Sequence, residues 1–241
     1  MPNNENQNLK RLLDSLVSQT TSQERNKVEV LIKKDSDDIS FPHPSFSAAY
    51  PFPVFIYTGE RAEGRNSLHH FYDYLLGRIN RNSKYILIVS DDFVFNRTGF
   101  VTEILNINQE FCMIETADVP TNIVKYVGRW RDPEVQRQWR CQTNMAAPCF
   151  STRLIEVTSG FGFIPDVDCW AMLLSIILME SYGVSIRKNI LPFYERLDCK
   201  PAINCATASF LDNKNLDYWH ELTRRQAKNI YLNLVYGKSI K

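Results

Sequence analysis

The chain has 241 residues, 44% of them hydrophobic, with 28 Lys and Arg against 27 Asp and Glu, a formal net charge of +1. That length suits one α/β domain or a domain with a small extension, and the apolar fraction excludes a disordered chain. The charge balance gives no support to general nucleic-acid binding, although local basic clusters can still hold phosphates.

Leu9, Leu12, Leu13, Leu16 and Val17 recur at helical spacing, which predicts an amphipathic helix near the start, with Asn8 as a candidate cap. After a polar stretch from Ser18 to Lys27, Val28 to Ile32 reads as a strand that runs into Lys33-Lys34-Asp35. Phe41 to Phe52, rich in Pro, Ser and aromatics, reads as a loop, and Pro53 to Tyr57 as a second strand. Thr58 to Arg65 is a loop leading into a helix whose Leu68, Phe71, Tyr72, Leu75, Leu76 and Ile79 share one face.

Tyr85 to Phe95 organises the sequence. Its apolar, β-branched run reads as a strand buried on both faces, as in a parallel sheet, and it ends on Asp91-Asp92. In open α/β sheets ligands collect beyond the carboxyl ends of the strands. Adjacent carboxylates there repel each other, and a divalent cation that bridges to a nucleotide's phosphates would satisfy both. The competing reading is that the pair merely opens a turn.

Gly99 to Asn108 reads as helix and Phe111 to Glu115 as strand. Val124 to Arg140 mixes Arg129, Arg131, Arg137 and Arg140 with Trp130 and Trp139, a composition suited to a sugar or phosphate, or to a solvated connector. Ser151 to Val157 reads as a short helix, and Ser159 to Pro165 as a Gly/Pro/aromatic loop. Asp166-Val167-Asp168 opens a largely apolar helix that ends at Gly183. Val184 to Phe193 reads as extended, and Leu216 to Val235 as a terminal helix docking through Trp219, Leu222, Ile230 and Leu234. The domain reading is a main body over 1–198 with a helical extension over 199–241.

Cys112, Cys141, Cys149, Cys169, Cys199 and Cys205 include no CxxC pair and no zinc-finger spacing. Met1 to Leu9 lacks a signal-peptide core. Both features point to the cytoplasm. No apolar run is long enough to span a bilayer, while peripheral membrane contact stays open.

Taken together, these segments resemble the glycosyltransferases of the GT-A fold, in particular the large inverting "family two" group. Leu12-Leu13-Asp14-Ser15-Leu16-Val17-Ser18-Gln19-Thr20 is similar to that family's first helix, and Glu29 to Asp35 to its second strand with a base-reading Asp. Ser90-Asp91-Asp92 resembles the metal motif, and Gly160-Phe161 followed by Asp166-Val167-Asp168 the acceptor-side motif.

The resemblance implies a Rossmann-like, mostly parallel central sheet flanked by helices, whose first strand is missing or shortened. It implies transfer, with inversion, of a sugar from a nucleotide-sugar to a carbohydrate or glycan-type hydroxyl. Asp35 would then read the base, uracil being the commonest in the family. Arg65, or alternatively Arg61, would approach the nucleotide. Asp91 would contact the ribose or a metal-bound water, and Asp92 would ligate Mn²⁺ or Mg²⁺. Asp168 would be the general base, with Asp166 second. Two departures stand out: the opening strand, and a late His as a further metal ligand, absent between Val184 and Asp198. They keep a catalytically inactive binding or assembly module in view. A nucleotidyltransferase would need a Gly-rich phosphate loop near the start, and none is visible.

Overall fold

The structure is a computed structural model that describes residues 4–38, 44–61, 68–91, 93–116, 147–161, 167–196 and 216–237. It is a mixed α/β arrangement of helices around small sheets.

The N-terminal periodicity gives α1 (Asn4–Gln19). Leu12, Leu13 and Leu16 are buried beneath it. Asn8 is not its cap. It lies inside the helix, where its side chain accepts a hydrogen bond from Arg11. Ser15 fixes α1 to the sheet, because its hydroxyl accepts from the Phe95 amide at 2.9 Å.

The polar segment after α1 contains a further turn of helix, α2 (Ser22–Arg25), which the sequence reading left unassigned. A reciprocal cap explains it. The Glu24 amide donates to the Thr21 hydroxyl at 3.2 Å, and the Thr21 amide donates to the Glu24 carboxylate at 3.0 Å. The second Glu24 oxygen accepts from the amide and hydroxyl of Thr102, at 3.1 and 2.8 Å. Thr102 lies in α4 (Phe100–Leu105).

β1 (Val30–Asp35) pairs in parallel with β2 (Val54–Gly59), placing Val30 opposite Val54 and Asp35 opposite Gly59. The strand is therefore displaced towards its charged end relative to the apolar run Val28–Ile32. Pairing, not hydrophobicity, carries it through Lys33, Lys34 and Asp35. A 3₁₀ turn (Pro44–Ala49) precedes β2, and α3 (Leu68–Leu76) follows it.

The Tyr85–Phe95 reading needs correction. β3 is only Tyr85–Leu87, and it pairs antiparallel with β6 (Cys149–Ser151). The chain leaves the ladder at Ile88, and β4 (Phe93–Phe95) pairs separately with β8 (Tyr194–Arg196), again antiparallel. The larger sheet has the order β3-β6-β5-β7, where β5 is Met113–Thr116 and β7 is Arg187–Ile190. Only the β5–β7 pairing in it is parallel. One mostly parallel central sheet is thus replaced, among the described residues, by three small sheets of mixed direction.

That sheet separates two cores. Met113 and Phe150 face one side with Phe111, Leu154, Trp170 and Ile230. Ile114 and Cys149 face the other with Leu13, Leu16, Phe93 and Phe100. The alternation is the period-two geometry of strands, and it gives three layers. β3 obeys it too: Ile86 packs against the first core, Tyr85 and Leu87 against the second.

α5 (Thr152–Thr158), α6 (Val167–Tyr182) and α7 (Leu216–Tyr236) cover the first core. Gly183 ends α6 at φ +65°, a left-handed conformation that glycine adopts without strain. Gln226 of α7 ties the three together: it accepts from the Trp170 indole at 2.8 Å and donates to the Thr158 carbonyl at 3.0 Å. Ile230 is fully buried as the spacing predicts, but Leu234 is 44% exposed, so the docking stripe is Thr223, Gln226, Ala227 and Ile230. The side chain of Trp219 lies outside the described residues.

Ser151 links sheet and helix. Its hydroxyl accepts from the Cys112 amide at 3.0 Å and caps α5 through the Leu154 amide at 3.4 Å. Ser151→Ala strands two buried donors, so we expect a loss of about 2 kcal/mol in urea unfolding.

Glu24 gives a pH signature. Burial pushes its carboxyl up, but the hydrogen bonds from Thr21 and Thr102 outweigh that and hold it below its ordinary value. A carboxyl lower in the folded than in the unfolded chain stabilises above the unfolded value, and that contribution is lost as pH falls through the folded one. Stability measured by denaturant titration should therefore drop as pH falls below the ordinary carboxylate range. Glu24→Gln should remove this part of the slope.

Candidate functional site at the carboxyl ends of β1 and β3

β1 and β3 start from the same end of the molecule. Glu29, just before β1, accepts from the Asn80 amide at 3.0 Å and the Ser83 hydroxyl at 3.1 Å, just before β3. In open α/β sheets ligands collect beyond the carboxyl ends of the strands. Asp35 closes β1 there, and Asp91 lies exposed in the turn that follows Ile88–Ser90.

Around Asp35 the charges are arranged in a row. The Lys33 ammonium, whose side chain is only 6% exposed, bonds Asp35 Oδ1 at 2.6 Å and the Glu60 carbonyl at 2.5 Å. It also lies 3.6 Å from the centre of the Phe71 ring. Arg61 Nη1 reaches Asp35 Oδ2 at 3.2 Å, and its Nε bonds Asp37 at 2.9 Å. The hydrogen bond from Arg61 holds the Asp37 carboxyl below its ordinary value. Tyr74 closes the aromatic wall, donating to the Thr58 carbonyl at 2.8 Å.

This arrangement has definite chemical capacity. Each Asp35 oxygen accepts one cation in the salt-bridge network and can accept a second donor, such as the N–H of a base. Arg61 is exposed, so its fork can turn to a phosphate. The Asp91 carboxylate is a hard oxygen donor of the kind Mg²⁺ and Mn²⁺ take.

The structure brings Asp35 and Arg61 into contact, and Asp91 lies exposed in the turn after β3. Asp168 is the second residue of α6, inside the first turn and not its N-cap. Arg65, Asp92, Asp166, the side chain of Asp168 and the Arg/Trp tract Val124–Arg140 lie outside the described residues. Among the described residues no three His, Cys, Asp or Glu side chains converge to hold a metal ion.

The residue that sequence reading missed is Lys33. The signal was available: Lys33 and Asp35 stand two apart on a strand, hence on one face. Gly160 of the acceptor-side motif has φ +110°, and a Cβ there would lie 3.0 Å from an Asp73 carboxylate oxygen. Its neighbour Phe161 is buried against Tyr72, Phe150 and Trp170. Cys112 and Cys149 are buried thiols. Burial pushes Cys112 up to about 11 and Cys149 higher still, so neither is a nucleophile.

A concavity of about 310 Å³ is lined mainly by apolar side chains from α1, α3, α4, β1 and β3. It contains none of Asp35, Arg61 or Asp91.

No protein family matches this chain, and no curated protein sequence matches it.

Asp35→Ala should leave the buried Lys33 ammonium unpaired and cost about 3 kcal/mol in urea unfolding. The double variant Lys33→Met/Asp35→Leu should recover most of that loss.

Proposed function

We propose that the chain is a metal-dependent, inverting glycosyltransferase of GT-A organisation, moving a sugar from a nucleotide-sugar, UDP-linked by preference, to a carbohydrate or glycan-type hydroxyl. The observation that supports this most is the Asp35 carboxylate that closes β1 between Lys33 and the exposed Arg61, a setting suited to a base and a phosphate. In this reading Asp35 accepts a hydrogen bond from the base and Arg61 or Arg65 approaches the nucleotide. Asp91 contacts the ribose or a metal-bound water, and Asp92 holds Mn²⁺ or Mg²⁺ against the diphosphate.

The chemistry asks for these groups. The departing nucleoside diphosphate builds up negative charge, which a bound cation stabilises as a Lewis acid. The acceptor hydroxyl is a poor nucleophile. A carboxylate within hydrogen-bond reach takes its proton during attack, the role given to Asp168, with Asp166 second, and such help is worth on the order of 10²–10⁴-fold in rate.

A second reading is a module that binds the nucleotide without catalysing.

UDP with Mn²⁺ should raise the melting temperature, and Asp92→Ala should abolish the rise. Asp168→Asn should keep the rise and lower turnover by about 10²-fold or more. A rise with no transfer from any sugar donor would favour the binding module, and no rise with any nucleoside diphosphate would end both readings.

A further inference from the structure

Three helices of the first core converge on one buried amide. Gln226 of α7 accepts from the Trp170 indole in α6 and donates to the Thr158 carbonyl at the end of α5. All three side chains are buried. A buried indole N–H and a buried carbonyl each need a partner, and a planar amide supplies one acceptor and one donor in the required order. The shortest contact of the Thr158 hydroxyl, at 2.8 Å, is its donation to the Gly160 carbonyl.

These contacts fall on either side of residues 162–166. Thr158 and Gly160 come before that stretch, and Trp170 comes after it, two residues beyond Asp168. Packing supports the same frame. Phe161 touches Tyr72 of α3 and Trp170, and an Asp73 oxygen lies where a side chain at Gly160 would go. Entry to the acceptor-side motif and exit from it are thus joined by one residue of the terminal helix.

We propose that Gln226 is a positioning residue for the acceptor half of the transfer reaction, holding the Gly160–Phe161 turn and the first turn of α6 in one geometry. The inference rests on the transferase reading, in which that first turn carries the general base. Neither hydrogen bond of Gln226 reaches a residue assigned to the nucleotide. Its loss therefore falls on turnover and spares nucleotide binding. A misplacement of about 1 Å costs on the order of 10²-fold in rate.

The test measures UDP release by the full chain from a panel of UDP-sugars, with Mn²⁺ present and methyl glycosides as acceptors. Gln226→Met removes both hydrogen bonds. It should lower kcat about tenfold or more, leave KM for the donor unchanged and keep the melting rise with UDP and Mn²⁺. Gln226→Glu is nearly isosteric and keeps the test open should the Met variant fail to fold. A neutral carboxyl accepts from Trp170 and donates to Thr158, as the amide does, whereas an ionised one cannot donate. Burial raises a carboxyl's pKa, so the Glu variant should approach the wild-type rate at about pH 5.5 and fall about tenfold below it by about pH 8.

Three results from an active wild type would overturn this inference alone. The first is a folded Gln226→Met variant that releases UDP at the wild-type rate. The second is loss of the nucleotide-induced melting rise in a folded variant, which makes Gln226 a support of the whole fold. The third is a Gln226→Glu rate that keeps one ratio to wild type across the pH range. No UDP release by the wild type from any donor would instead end the transferase reading, and this inference with it.

Discussion

The buried hydroxyl of Ser151 fixes the architecture. β6 is only three residues long, yet it is the strand on which β3 and β5 both pair. A ladder that short has few hydrogen bonds of its own. Ser151 adds one to the neighbouring strand at Cys112 and begins α5 in the same residue. The sheet and the helical layer above it are therefore set by one atom, and the two cores follow from the alternation of Cys149 and Phe150 on either side. Removing the alignment at β6 would detach β3, and with it the segment that carries Asp91.

Helices were legible in the sequence where a long apolar stripe specified them. α1 and α3 follow directly from their periodicity, and α6 from an apolar run too long for a strand. Strands were legible only where apolar runs were long. β1 was displaced because its polar end is held by β2, a partner far along the chain. β6 and β8 were invisible because three residues hold no period, and their definition comes from pairing with β3, β5 and β4. The break at Ile88 has the same origin: Tyr85–Leu87 and Phe93–Phe95 look continuous as a string, but they answer to different partners.

The candidate site was legible as residue types and not as an arrangement. Asp35 stood out as a carboxylate closing a strand. Its setting did not, because Arg61 arrives from the loop after β2 and Phe71 from α3. The row Lys33–Asp35–Arg61–Asp37 is a balanced set of two cations and two anions. A ligand's phosphate would have to draw Arg61 away from Asp37 and Asp35, and Lys33 would then remain as the compensating charge. Because Lys33 is clamped between a carboxylate, a carbonyl and an aromatic ring, it is the rigid member of the set and Arg61 the mobile one.

The long reach of Glu24 has a consequence for how the polypeptide is made. Its partner Thr102, like the Phe95 amide held by Ser15, lies almost eighty residues downstream. Synthesis at about 5–20 residues per second leaves the leading helices without these anchors for on the order of 4–16 s. During that interval the leucine stripe of α1 has no core to enter. Its exposure to chaperones, or to a neighbouring nascent chain, is written into the order in which the ribosome delivers its partners.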